Sequence, residues 1–218
     1  MNRRELIEAT KVKLEEISSF DEPNSFIAAG NDKDYESVKP IVSYIDDTLD
    51  KATWKCLSEL PLSALSEDID RMSTFAIVDE LGVGHINLVN IISCPRFVRV
   101  SAKTWRRDCT KVLAATDELA LLQESPYTRG GNCKPVTLFF PETKELRLYS
   151  FSNSKEGEQL GCKFYFIDCS KKSEDVKSDI SDFIALQCAI YVYEILGRTD
   201  AAKIMIEEYN NKLQLLMQ

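Results

Sequence analysis

The chain holds one histidine, His85, and seven cysteines: Cys56, Cys94, Cys109, Cys133, Cys162, Cys169 and Cys188. A thiol in contact with the imidazole would make a nucleophile with His85 as its base, the sharpest enzymatic arrangement this composition permits. The spacing singles out no cysteine for that role. One histidine also rules out two-histidine metal sites within a chain. The odd, scattered cysteines contain no C-x-x-C, so neither a zinc ribbon nor a thioredoxin-like motif is present. They read as reduced, unpaired thiols that behave as small hydrophobes. Carboxylates are plentiful, but no pair stands apart from ordinary solvated helix faces. Gly82-Val83-Gly84 lacks the third glycine of a dinucleotide loop, and Gly130-Gly131-Asn132 lacks the lysine of a P-loop. Both read as turns. The sequence therefore predicts no catalytic residue, no cofactor site and no metal site.

What remains is aromatic and cationic. Trp105-Arg106-Arg107 and Tyr127-Thr128-Arg129-Gly130 set rings beside cations, a pairing that suits phosphate, stacked bases or a protein surface. Charge favours the last, or salt bridging within the molecule. Lys and Arg total 27 against 35 Asp and Glu, a formal charge of −8, and an acidic body repels nucleic acid and anionic lipid. Tyr149 and Phe151 alternate with Leu146, Leu148 and Ser150, which predicts a partly exposed sheet face. The candidate protein-interface residues are thus Trp105, Arg106, Arg107, Tyr127, Arg129, Tyr149 and Phe151, together with the loop from Ser18 to Asp34.

The elements that must carry these residues follow from periodicity. Leu6, Thr10, Leu14 and Ile17 predict a helix from Arg3 to Ile17, and Val38, Ile41, Ile45, Leu49, Ala52 and Cys56 predict a second. Pro40 suits the first turn of that helix. The period then shortens. Phe75–Val78 and His85–Leu88 flank the Gly82-Val83-Gly84 turn as a hairpin, and Phe97–Val100 forms another strand. Asp117 caps a short helix from Glu118 to Glu124. Pro135–Phe140 and Leu146–Phe151 form a second hairpin, with Lys163–Ile167 as its third strand. Ser178-Asp179 caps a helix running to Leu196 that is apolar nearly all round from Phe183 to Tyr193, and Gly197 ends it. Thr199-Asp200 opens a last helix through Met217, with Ala202, Met205, Tyr209, Leu213 and Leu216 on one face. The fold expected is α+β and mainly helical: four longer helices in a bundle, with small antiparallel β-hairpins inserted between the second and third. It is read as one domain over 1–218, with N-terminal helices over 1–60, a β-rich insertion over 73–170 and a C-terminal helical hairpin over 178–217. The N-terminus shows no signal-peptide core, and the apolar run at Phe183–Tyr193 is too short to span a bilayer, so no membrane is implied.

Three stretches resemble a known family when read in order. They are Phe97-Val98-Arg99-Val100-Ser101-Ala102-Lys103-Thr104-Trp105-Arg106-Arg107, then Leu121–Gly130 running into Lys134-Pro135-Val136 and Leu146–Ser150, then a buried helix ending at Gly197 before Thr199-Asp200-Ala201-Ala202-Lys203. Lys39-Pro40-Ile41 with Ile45–Ala52 adds the opening helix. This order is similar to the head-to-tail adaptor, or connector ring, proteins of short-tailed bacteriophages, including the crAss-like group. The loops over 18–34 and 152–161 have no counterpart in that pattern. The resemblance implies a non-enzymatic virion protein at the head–tail junction, made in the host cytoplasm. It would form a ring, usually a dodecamer, whose partners are its own copies, the portal protein and other tail or connector ring proteins, with genomic DNA passing non-specifically through. Two other readings stand beside it: a small cytosolic cysteine-dependent hydrolase, and a monomeric helical protein-interaction adaptor.

Overall fold

The computed structural model describes residues 2–18, 41–89, 92, 94–125, 127–149, 151 and 154–218. These form two compact units: Met1–Asp68 with Cys169–Gln218, and Ile69–Asp168 between them in sequence. The predicted loop over 19–34, Val38 and Pro40 of the second predicted helix, and Ser150 lie outside the described residues.

The helical unit consists of α1 (Arg3–Ser18), α2 (Ile41–Glu59), α4 (Ser181–Ile195) and α5 (Thr199–Leu216), with single 3-10 turns at Ser66–Asp68 and Ser173–Asp175. Helix α4 is the axle, packed against α1, α2 and α5. Nine of its residues are buried, Gln187 among them, which is why its sequence shows no polar face. Leu6 and Leu14 of α1, and Ile45, Leu49, Ala52 and Cys56 of α2, face the interior as their spacing predicts. Several buried polar groups are matched. The Tyr193 hydroxyl donates to the Leu14 carbonyl at 2.7 Å, and Thr48 Oγ1 and Cys188 Sγ stand 3.2 Å apart. Asp68 is wholly buried. It accepts from the Lys177 and Ser178 amides at 3.1 and 2.9 Å and pairs with Lys171, and these partners outweigh the cost of burying a carboxylate.

Two details differ from expectation at the helix ends. The Ser178 amide is bonded to Asp68, so α4 starts later, at Ser181, without a side-chain cap. Gly197 takes φ of +71° and closes the other end: its amide bonds to Glu194 and that of Arg198 to Tyr193, the pairing of a Schellman motif. Near the chain end Leu216 is exposed rather than lining the core face.

The second unit overturns the expectation of small hairpins on a mainly helical bundle. Strands make up 26% of the described residues against 41% helix, and they form one mixed, nearly closed, barrel-like sheet. Its strands are β1 (Asp70–Val78), β2 (Val83–Asn87), β3 (Pro95–Ala102), β4 (Val112–Ala114), β5 (Val136–Phe140), β6 (Glu145–Tyr149) and β7 (Gln159–Asp168), in the order β3-β7-β1-β2-β6-β5-β4. All neighbours are antiparallel except β4 and β5. The two predicted hairpins, β1–β2 and β5–β6, are present. The strand over 163–167 does not extend the second of them; as β7 it lies between β3 and β1. The reason is length and burial. β7 alternates Leu160, Cys162, Phe164 and Phe166 inward over ten residues, and β1 and β3 are the strands long enough to match it. The two sides of the sheet approach where Val100 of β3 and Cys109, just before β4, exchange both backbone bonds, and where the Phe97 ring of β3 meets Phe139 of β5 edge to face at 5.3 Å.

Inside the sheet lie Ala76, Ile86, Val100, Leu146, Leu148, Leu160, Phe164 and Phe166. Gly84 belongs there because any side chain would collide with its neighbours: a Cβ would stand 2.5 Å from the Phe151 ring and 3.1 Å from Ala76. Outside, a smaller cluster of Val83, Leu113, Leu138 and Tyr149 is covered by Ala120 of α3 (Glu118–Leu121), which Asp117 caps by accepting from the Leu119 amide at 2.9 Å. That helix is one turn long, shorter than the predicted Glu118–Glu124.

Two substitutions test this packing. Ile190→Ala in α4 is expected to lower unfolding free energy by about 2–5 kcal/mol in denaturant titration; a loss under about half a kcal/mol would place that side chain outside a packed core. Gly84→Ala is expected to cost about 1–3 kcal/mol because the Phe151 ring must move, and a neutral result would show that the ring has room.

Candidate interaction surface

The interface residues predicted from sequence divide sharply by burial. Trp105, Tyr149 and Phe151 are buried, so the expectation of an exposed face carrying Tyr149 and Phe151 is corrected. The Trp105 indole stacks on the Phe151 ring, centroids 5.6 Å apart and planes 18° from parallel, and both rings belong to the barrel interior. Tyr149 instead sits in the outer cluster beneath α3. The alternation misleads because α3 covers one stretch of the outer face and because the chain turns inward after β6 at Phe151.

Arg106, Arg107 and Tyr127 remain on the surface, and Tyr127 is 98% exposed. Trp105 acts as the plug of a turn: its amide bonds to the Ala102 carbonyl at 3.0 Å, leaving Lys103 outside on one flank and Arg106 and Arg107 on the other. The Arg106 amide donates to the Asn132 carbonyl at 2.9 Å, and the Lys134 amide closes onto Gly131 at 2.8 Å. The two elements singled out in sequence, around Trp105 and around Gly130, are therefore bonded neighbours. Arg129 serves the structure: its guanidinium donates to the carbonyls of Leu81 and Glu124, tying the segment before β5 to the β1–β2 turn.

Sequence reading missed the outer face of β1. Phe75 and Ile77 point outward, 63% and 56% exposed, and the strand register sets Gly161 directly opposite Phe75. The space around Gly161 is open. The signal was present as apolar residues at odd positions of a strand whose even positions, Ala76 and Val78, are buried.

His85 is the cross-strand partner of Ile77 on one side and of Arg147 on the other. Its Nδ1–H donates to Glu145 Oε1 at 2.6 Å and its Nε2–H to Asp79 Oδ2 at 3.0 Å. Ionised carboxylates only accept, so the two contacts favour the doubly protonated ring. Burial opposes that charge, but the hydrogen bonds to Glu145 and Asp79 outweigh it and raise the pKa above its ordinary value. Burial works against both carboxylates as well, and they are nonetheless held below their ordinary range, Asp79 by the Val83 amide and His85, and Glu145 by His85 and Arg147. Asp79 also accepts from the Leu81 amide at 2.9 Å, so the group clamps the β1–β2 turn. Neither ring nitrogen is left to serve a thiol as base. Two of the thiols lie in burial that disfavours the thiolate: it pushes Cys56 up to about 12 and Cys162 up to about 11. All seven cysteines are free, and of these Cys133 is exposed. Among the described residues no group of three or more His, Cys, Asp or Glu side chains is placed to hold a metal ion, and no helix is long and apolar enough to cross a membrane.

No protein-family model and no curated protein matches the sequence.

The clamp makes a prediction with a defined sign. A raised histidine pKa contributes stability that is complete below about pH 6.5 and fades as pH rises through the folded value. The lowered carboxylates contribute stability present above about pH 4.5 and lost as pH falls through theirs. The melting temperature of His85→Asn should therefore lie furthest below that of the native chain near about pH 5–6 and approach it as pH rises through the raised histidine value. Parallel melting curves across that range would refute the clamp.

Proposed function

We propose that this chain is a structural subunit of the head–tail connector of a short-tailed bacteriophage, acting through its surfaces in a ring beneath the portal. The observation that carries this reading is the exposed apolar strip of Phe75 and Ile77 on a regular strand. Isolated soluble domains rarely leave large side chains bare in a row, and such strips mark contact surfaces. The helical unit offers a comparable surface at its C-terminal end, where Leu215 and Met217 are 70% and 73% exposed. The clamp at His85 spends the only imidazole on shape, which suits a part that must hold its form. The resemblance carried by Phe97–Arg107, Leu121–Val136 and the helices around Gly197 supplies the identity of the assembly. The portal, adjoining tail rings and further copies of the chain are the proposed partners, with DNA passing through an acidic lumen that does not retain it. Where periodicity predicts a bundle with small hairpins, the chain has a helical unit and a barrel-like sheet.

The test is the virion itself. Purified particles from the lysate in which the chain is made should contain it at roughly a dozen copies per particle by quantitative mass spectrometry, the expectation for one closed ring. A double substitution, Phe75→Ser with Ile77→Ser, should leave the melting temperature of the isolated chain within a few degrees while reducing its incorporation. Absence of the chain from intact particles would end this reading.

A further inference from the structure

Charge is not spread evenly between the two units. Residues 69–168 contain thirteen Lys and Arg against twelve Asp and Glu, a net of +1, so the remainder of the chain carries −9. Within the β unit the cations are also gathered. Lys103, Arg106, Arg107, Lys111 and Lys134 are all exposed. They lie on two turns joined by the bond from the Arg106 amide to Asn132, and Lys111 follows the backbone pairing of Cys109 with Val100. The nearest carboxylate in sequence, Asp108, is taken by Arg99 at 3.4 Å. Among the described residues none of these five cations has an ion-pair partner. They are nonetheless held in place, because Trp105 is stacked on Phe151 inside the barrel and the 131–134 turn is closed on itself. Fixed, unpaired cations on a rigid rim present a preorganised surface for an anionic partner.

From this we infer that the cationic rim docks on the acidic helical unit of a second copy of the chain. A nucleic acid has the right charge for the rim, but it must approach a body of net −8, and that field opposes it. A second copy meets the opposite balance, since its helical unit supplies the anions. The contact joins unlike surfaces, so each copy keeps one free rim and one free acidic face. Contacts of that kind propagate head to tail and close into rings when the rotation allows. The inference rests on the ring reading above and names the surface and chemistry by which neighbours meet.

Sedimentation of the full chain tests it. At about 50 mM salt the native chain should self-associate with rising concentration, and about 500 mM salt should weaken that association, because exposed charges are screened within a few ångströms at high ionic strength. The triple variant Arg106→Glu, Arg107→Glu, Lys134→Glu should weaken association at least about tenfold, and the neutral Arg106→Gln, Arg107→Gln, Lys134→Gln set should fall between. Circular dichroism and melting of both variants separate lost docking from lost folding. Zero-length carbodiimide coupling of a mixture of light and heavy isotope-labelled chains should join Lys103, Lys111 or Lys134 of one copy to carboxylates in 1–68 or 169–218 of the other. A native chain that stays monomeric at low salt, association indifferent to the substitutions, or links confined to single copies would overturn the inference. So would tight binding of a 20-base-pair DNA duplex, about 20 being enough to span such a rim, if the triple variant abolished it. Each of these outcomes leaves the virion reading to be judged separately by the composition of the particles.

Discussion

The β unit depends on a single contact made possible by a missing side chain. Phe151 reaches the bare backbone of Gly84, and Trp105 lies flat upon it. Three segments distant in sequence are thereby locked together: the start of β2, the chain beyond β6, and the turn that follows β3. Both rings belong to the core cluster inside the barrel-like sheet. It also fixes the backbone on either side of Trp105, and with it the directions taken by Lys103, Arg106 and Arg107. Aromatic pairs contribute about 0.5–1.5 kcal/mol beyond their burial, but the larger effect here is geometric.

The helical unit was largely legible in the sequence because its cues are local. Leu6, Thr10 and Leu14, or Ile45, Leu49 and Ala52, announce a buried stripe within four turns of chain, and Gly197 announces a stop. The sheet was legible only in pieces. Each hairpin with a short turn, β1–β2 and β5–β6, is visible as alternation around glycine or proline. The pairing of β1 with β7 joins Asp70 to Phe166 across almost the whole unit, and no local pattern specifies it. Closing a barrel from such pieces turns the inner faces of every strand toward one another, so side chains that alternate correctly can still end up buried on both sides. Tyr149 and Phe151 show this: one is covered by α3 and the other turns inward.

The candidate surface was legible to a similar degree. The pairing of aromatic and cationic residues at 105–107 located the rim, but not the division of labour within it, where the ring is the anchor and the cations are the display. His85 illustrates the converse. A lone histidine invites a catalytic reading, yet its flanking carboxylates at 79 and 145 come from a turn and from another strand, and only the fold brings all three into bonding distance.

The register of β1 against β7 bears on the order in which the chain acquires its form. Asp70 lies opposite Phe166, so the first and last strands of the β unit hold its two ends roughly 5 Å apart. The helical unit is split by that insertion, with α1 and α2 before it and α4 and α5 after it. Bringing those halves together across about 100 disordered residues would cost on the order of 4 kcal/mol of loop closure. Completion of the β1–β7 ladder removes most of that cost in advance, because a hundred-residue tether becomes a short one. Two partners of α4, α1 and α2, precede the sheet in the chain. A finished sheet therefore lowers the cost of bringing α4 to them.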